Sequence, residues 1–134
     1  MSRFKHINDT ALFPKECEHI DYSVVYRATK NTDVLCVSDF LPSSIENCNQ
    51  LKTFKKKLVQ SDYSVSVFTD LDALKKTVKK YPSLDAKTKA YAKGFTTKER
   101  GISCKENSDH HVNYYLYDYE LNSPKDDFSV IEVR

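Results

Sequence analysis

The stretch Tyr63-Ser64-Val65-Ser66-Val67-Phe68-Thr69-Asp70, continued by Leu71-Asp72-Ala73-Leu74, decides the fold. Its first six residues alternate, with Tyr63, Val65 and Val67 on one side and Ser64, Ser66 and Phe68 on the other, which is the period of a strand. Thr69 or Asp70 then supplies a side-chain oxygen to cap a helix. In that helix Leu71, Leu74, Val78 and Tyr81 share a face, and Lys75, Lys76, Lys79 and Lys80 crowd the last turns, where cations suit the carbonyl end of the helix dipole. Pro82 stops it. Strand, cap, helix and stop agree, and they mix sheet with helix in one short span.

Working outward, Tyr22 to Arg27 is β-branched and aromatic and predicts a first central strand. Val34-Leu35-Cys36-Val37 predicts a second, ended where Pro42 restricts Leu41 to extended backbone. Ser43 and Glu46 have the spacing of a capping box, so a helix is expected to start there, with Leu51, Phe54 and Leu58 on the apolar face of an amphipathic run over 50–59. Further on, Ala90 to Thr96 predicts a strand whose Gly94 marks a bulge or a close approach of another backbone or ligand. Ile102 to Cys104 predicts a short strand. Val112 to Tyr117 and Phe128 to Val133 predict two more, expected as an antiparallel pair. Residues 1–20 lack a period and are expected to form an arm or a short helix.

The expected architecture is a single α+β domain over residues 1–134, with a mostly antiparallel sheet of five or six strands and two main helices. A chain of 134 residues with 40% hydrophobic and 30% charged side chains has enough apolar material to offset the entropy of ordering one core. Its two glycines argue against a turn-rich barrel of many short strands.

Composition also excludes functions. No apolar run approaches the roughly 20 residues of a membrane span, and no signal-peptide core follows Met1, so a cytosolic protein is expected. Cys17, Cys36, Cys48 and Cys104 form no Cys-x-x-Cys pair and are read as reduced thiols. Cys17 with His19, and Cys104 with His110, match no zinc spacing, so no metal is expected. With Gly94 and Gly101 alone, no glycine-rich loop can wrap a phosphate, and no Gly-x-Ser-x-Gly elbow presents a nucleophile.

Three functional readings remain. The first is a small intracellular binding protein, an inhibitor, immunity protein or accessory factor acting on a protein partner without a cofactor. Its expected surface is Tyr114, Tyr115, Tyr117 and Tyr119 together with His110 and His111, because interfaces favour the large, low-entropy area of tyrosine. The second is a nucleic-acid module that uses the lysine-rich helix faces, with Lys55, Lys56, Lys76 and Lys79 as the contacts. Net charge is only +2, so such binding would have to be local.

The third rests on a resemblance. Val25-Tyr26-Arg27 on an early strand is followed by Ser66-Val67-Phe68-Thr69-Asp70 leading into a helix with Ala73, and then by the strand from Ala90 to Phe95. This order of motifs resembles the ADP-ribosyltransferase-like fold. The resemblance implies NAD as ligand, with Arg27, Ser66 and Glu132 binding it and stabilising an oxocarbenium-like centre.

Overall fold

The computed structural model describes residues 4–7, 20–46, 58–105 and 110–134. Its frame is one six-stranded antiparallel sheet, built from β1 (Val25–Thr29), β2 (Val65–Phe68), β3 (Ala90–Gly94), β4 (Gly101–Lys105), β5 (His111–Leu116) and β6 (Phe128–Val133). The order across the sheet is β4-β5-β2-β1-β3-β6. The described helices are short: α1 (Ser43–Glu46), α2 (Leu71–Lys80) and α3 (Pro82–Lys87). The expected α+β class therefore holds.

Alternation divides the core between the two faces of the sheet. Val25, Val65, Val67, Ala92, Val112, Tyr114 and Leu116 pack on one face, where Leu35, Phe40 and Phe128 close over them. On the other, α2 lays Leu74 and Val78 against Phe68 and Tyr91. The Asp70 carboxylate caps α2 by accepting from the Ala73 amide at 3.0 Å. Tyr81 leaves the helix in extended conformation. Pro82 ends α2 as expected and also opens α3, since its fixed φ and missing N–H suit the first helical position. Near β4 and β5, Phe4 and Ile7 cover Tyr63 and Tyr115, and the Lys5 amide donates to the Tyr117 carbonyl.

Several expectations shift. The first strand begins at Val25 instead of Tyr22 and runs on to Thr29. Val34 to Val37 is no strand: Val34 is exposed, Leu35 is buried, and Val37–Phe40 is a 3₁₀ turn. Tyr63 belongs to a 3₁₀ turn, Gln60–Tyr63, so it leaves the side of Val65 and packs near Phe4. Ser43 lies inside α1, whose first amide bonds run from Ile45 and Glu46 to the Pro42 carbonyl, and the Glu46 side chain goes elsewhere. The proposed capping box is thus replaced. β5 and β6 do not pair; β5 lies between β4 and β2, and β6 lies beside β3 on the far edge. The run from 50 to 57 and residues 8–19 fall outside the described residues.

Gly94 does mark a close approach, because a Cβ there would sit 2.4 Å from the Phe128 ring and 2.5 Å from the Asp127 carbonyl. The register shift with β6 lies earlier in the same strand, between Tyr91 and Ala92, where β6 carries the extra residue Ile131. Cys104 corrects the thiol expectation, since it is disulfide-bonded, with its partner outside the described residues. Cys36 is free and exposed. A disulfide persists in oxidising compartments, so the cysteines no longer argue for the cytosol. Among the described residues no helix is long and apolar enough to cross a membrane.

Tyr114 is fully buried, and its hydroxyl both accepts from the Thr97 amide at 3.1 Å and donates to the Thr97 carbonyl at 3.3 Å. Burial pushes its phenol pKa up to about 12. A group raised on folding contributes stability that is full below its unfolded pKa of about 10 and is lost as pH climbs through the folded value. Urea titration of Tyr114→Phe at neutral pH is expected to show a loss of about 1–3 kcal/mol. Repeated at rising pH above 9.5, the variant should show a shallower alkaline decline than the parent; equal slopes would mean that the buried phenol is not the group responsible.

Candidate functional site

β1 and β2 lie side by side at the centre of the sheet yet share a single register pair, Tyr26 with Phe68. A continued antiparallel ladder would set Ala28 against Ser66. Instead the Arg27 guanidinium occupies the fork, donating from Nη1 to the Ser66 carbonyl at 2.9 Å and from Nε to the Asp39 carbonyl at 3.0 Å. Just ahead of β2, the Ser64 carbonyl accepts from the Ser43 amide at the start of α1. Backbone acceptors that the splayed strand abandons are thus satisfied by a side chain and a helix start.

Asp39 holds the other side of this fork. Its carboxylate, 1% exposed, accepts from the amides of Lys30, Asn31 and Cys36 and from the Asn31 side-chain amide, all between 2.7 and 3.1 Å. These bonds wind residues 30–39 into a loop instead of the expected second strand, and they seat Phe40 in the core, its ring 5.0 Å from that of Phe128. The Asp39 carbonyl is thereby fixed where Arg27 meets it.

The fork opens into a cleft of about 230 Å³ lined by Arg27, Ser43, Glu46, Ser66, Tyr81 and Lys87, with Phe68, Leu74 and Leu84 as its apolar wall. Glu46 is its centre of charge. Oε2 accepts from Lys30 Nζ and Oε1 from Lys87 Nζ, each at 2.9 Å. Burial pushes this carboxyl upward, but Arg27 and the two lysines outweigh it and hold the group below its ordinary value. For Arg27, burial lowers the pKa against the opposing pull of Glu46 and Asp39. The arrangement is a half-buried polar cleft with a surplus of cations and an aromatic rim, able to bind an anionic ligand that carries a ring.

Of the residues expected for the transferase reading, Arg27 donates to the Ser66 backbone carbonyl and both line this cleft. Glu132 does not join them. It lies on β6, paired with Tyr91 of β3, so β3 separates it from β1, and its carboxylate accepts from Lys75 Nζ at 2.8 Å. The tyrosine surface is corrected by burial: Tyr114 and Tyr115 are 0% and 2% exposed and offer no contact area. Tyr117 and Tyr119 are half-buried, Tyr117 against Phe4 and Tyr119 edge-on to His6. His110 and His111 sit at the opposite end of β5, roughly 20 Å away at a strand's rise per residue, so the six residues form no single patch. His110 takes a left-handed φ of 62° with its ring nitrogen 3.2 Å from the Thr69 hydroxyl, and the His111 ring lies 5.1 Å from that of Phe68. Lys76 and Lys79 are exposed on α2, whereas Lys55 and Lys56 fall outside the described residues. Among the described residues no cluster of His, Cys, Asp or Glu could hold a metal ion.

Sequence reasoning missed the parts of the site that come from afar. Glu46 was expected as part of a cap, and nothing in the spacing of Glu46 or Lys87 links them to Arg27. Comparison with protein-family models, curated proteins and solved structures returns no match for this chain.

Asp39→Ala should remove four hydrogen bonds and leave their buried donors unpaired, lowering stability by about 2–4 kcal/mol in a chemical denaturation experiment. A loss below about 0.5 kcal/mol, the size of an ordinary surface change, would show that the loop does not depend on this carboxylate.

Proposed function

We propose that this domain binds a nucleotide-type ligand in the cleft beside the β1–β2 fork, with NAD as the specific candidate that the motif order of the ADP-ribosyltransferase-like fold implies. The observation that carries the proposal is the meeting of Arg27 with the Ser66 carbonyl at the fork, where Lys87, Tyr81 and Phe68 line the same cleft and Lys30 reaches its Glu46 carboxylate. Cations suit a pyrophosphate, and apolar and aromatic surface suits a base or a nicotinamide ring. At about 230 Å³ the cleft is smaller than the roughly 300–1,000 Å³ of sites that enclose a whole drug-sized ligand. It fits phosphates plus one ring, with the remainder of a dinucleotide lying across the open rim.

Docking of a protein partner stands as a second reading, through the exposed parts of Tyr117 and Tyr119 or, at the other end of β5, through His110 and His111. A pull-down that retains a partner with the parent chain and loses it with Tyr117→Ala would favour that reading.

Isothermal titration with NAD tests the first. Binding at micromolar to millimolar concentration is expected, weakened about tenfold or more in Lys87→Ala, which removes a cation at the rim without touching the fork. Glu132→Gln should bind as the parent does. Absence of NAD binding at millimolar concentration by a folded parent chain would refute the proposal.

A further inference from the structure

Two lysines from separate elements converge on one carboxylate in the cleft. Lys30 follows β1 directly and Lys87 ends α3, yet both ammonium groups lie 2.9 Å from Glu46, one on each oxygen. The lysine side chains are about one-third exposed, at 38% and 33%, while the Glu46 side chain is only 15% exposed. Arg27 and Lys87 line the same cleft as Glu46, and the charge of Arg27 acts on the carboxylate together with the two lysines. A carboxylate offers two oxygens to two cationic donors much as a phosphate does.

We infer that Glu46 is an internal counter-anion: it holds the lysines in the position where they grip a ligand's phosphates, and an anionic ligand binds by displacing it. This inference rests on the nucleotide reading and sharpens it. A singly charged anion gains little by replacing one carboxylate with another charge of the same size. A pyrophosphate, with several charges spread over more oxygens, satisfies both lysines and Arg27 together. The cleft therefore selects multiply charged anions over monoanions, and Glu46 sets that threshold. The exchange asks little of the surroundings, because among the described residues the side chain that must swing away makes its hydrogen bonds only to the two lysines.

The roles separate by direction. If Glu46 competes with the ligand, removing its charge strengthens binding; if it only positions the lysines, removing it weakens binding. Inorganic pyrophosphate, acetate and NAD are titrated calorimetrically into the full chain and into Glu46→Gln. The variant is expected to bind pyrophosphate and NAD about fivefold more tightly, the size of one competing charge at a part-exposed site, and to narrow the preference for pyrophosphate over acetate. Equal or weaker binding by Glu46→Gln, with the parent binding normally, would overturn the inference and leave the nucleotide reading standing. If neither chain binds pyrophosphate or NAD, the nucleotide reading fails and the inference falls with it. A measurement on the unaltered chain guards against a variant that does not fold. The carboxyl carbon resonance of Glu46, followed by NMR through an acid titration, should show a higher pKa with saturating pyrophosphate, as the lysines leave it. An unmoved or lowered value would be equally fatal to the displacement.

Discussion

The Arg27 guanidinium in the fork between β1 and β2 is the interaction on which the rest of the structure depends. A six-stranded antiparallel sheet would normally run its hydrogen-bond ladder unbroken through the middle, and here the ladder stops after Tyr26 and Phe68. Charge in a sheet's interior is costly unless it is paired and hydrogen-bonded. Arg27 meets that condition through the Ser66 and Asp39 carbonyls and through the fields of Glu46 and Asp39. The same contacts that make the buried charge tolerable keep the two strands apart, and the gap between them becomes the floor of the cleft.

Around that fork the molecule is arranged to hold geometry more than to add buried area. Asp39 gathers amides from both ends of the 30–36 loop, so its carbonyl reaches Arg27 from a fixed direction. α1 fills the space left by the splayed strands and takes over the Ser64 carbonyl. α2 and α3 meet at Tyr81, which places an aromatic ring at the rim and Lys87 at the far end of a short helix. The site is thus assembled from a central strand, the loop that follows it and residues of three helices. Cys104, which is disulfide-bonded, stands apart from this cleft, among Phe4, Tyr63 and Tyr115.

The run from Val65 to Lys80 was legible because every local signal there agrees with its packing: alternation gave β2, Asp70 capped α2, and Leu71, Leu74 and Val78 faced the sheet. Strands β3 to β6 were legible for the same reason, within a residue or two. Val34 to Val37 misled because its apolar run serves a loop, and the loop exists only through the long-range demand of Asp39 for amide donors. The tyrosines of β5 misled in another way. Alternation says that neighbours face opposite sides of a sheet, but it cannot say whether either side is exposed, and in this molecule both faces at that strand are covered.

By itself the sequence determined the class of fold, the strands and the capped helix, because periodicity, propensity and capping act over a few residues and need no distant partner. It also put Arg27 and Ser66 forward as residues of one site. Tertiary structure alone decided that they touch, that Glu132 lies beyond β3 while Glu46 stands in the cleft, and that two lysines far apart in the chain share one carboxylate. The reason is physical: strand order and the closing of a fork depend on where buried charges and abandoned backbone groups find partners, and those partners are set by three-dimensional packing that no spacing along the chain encodes.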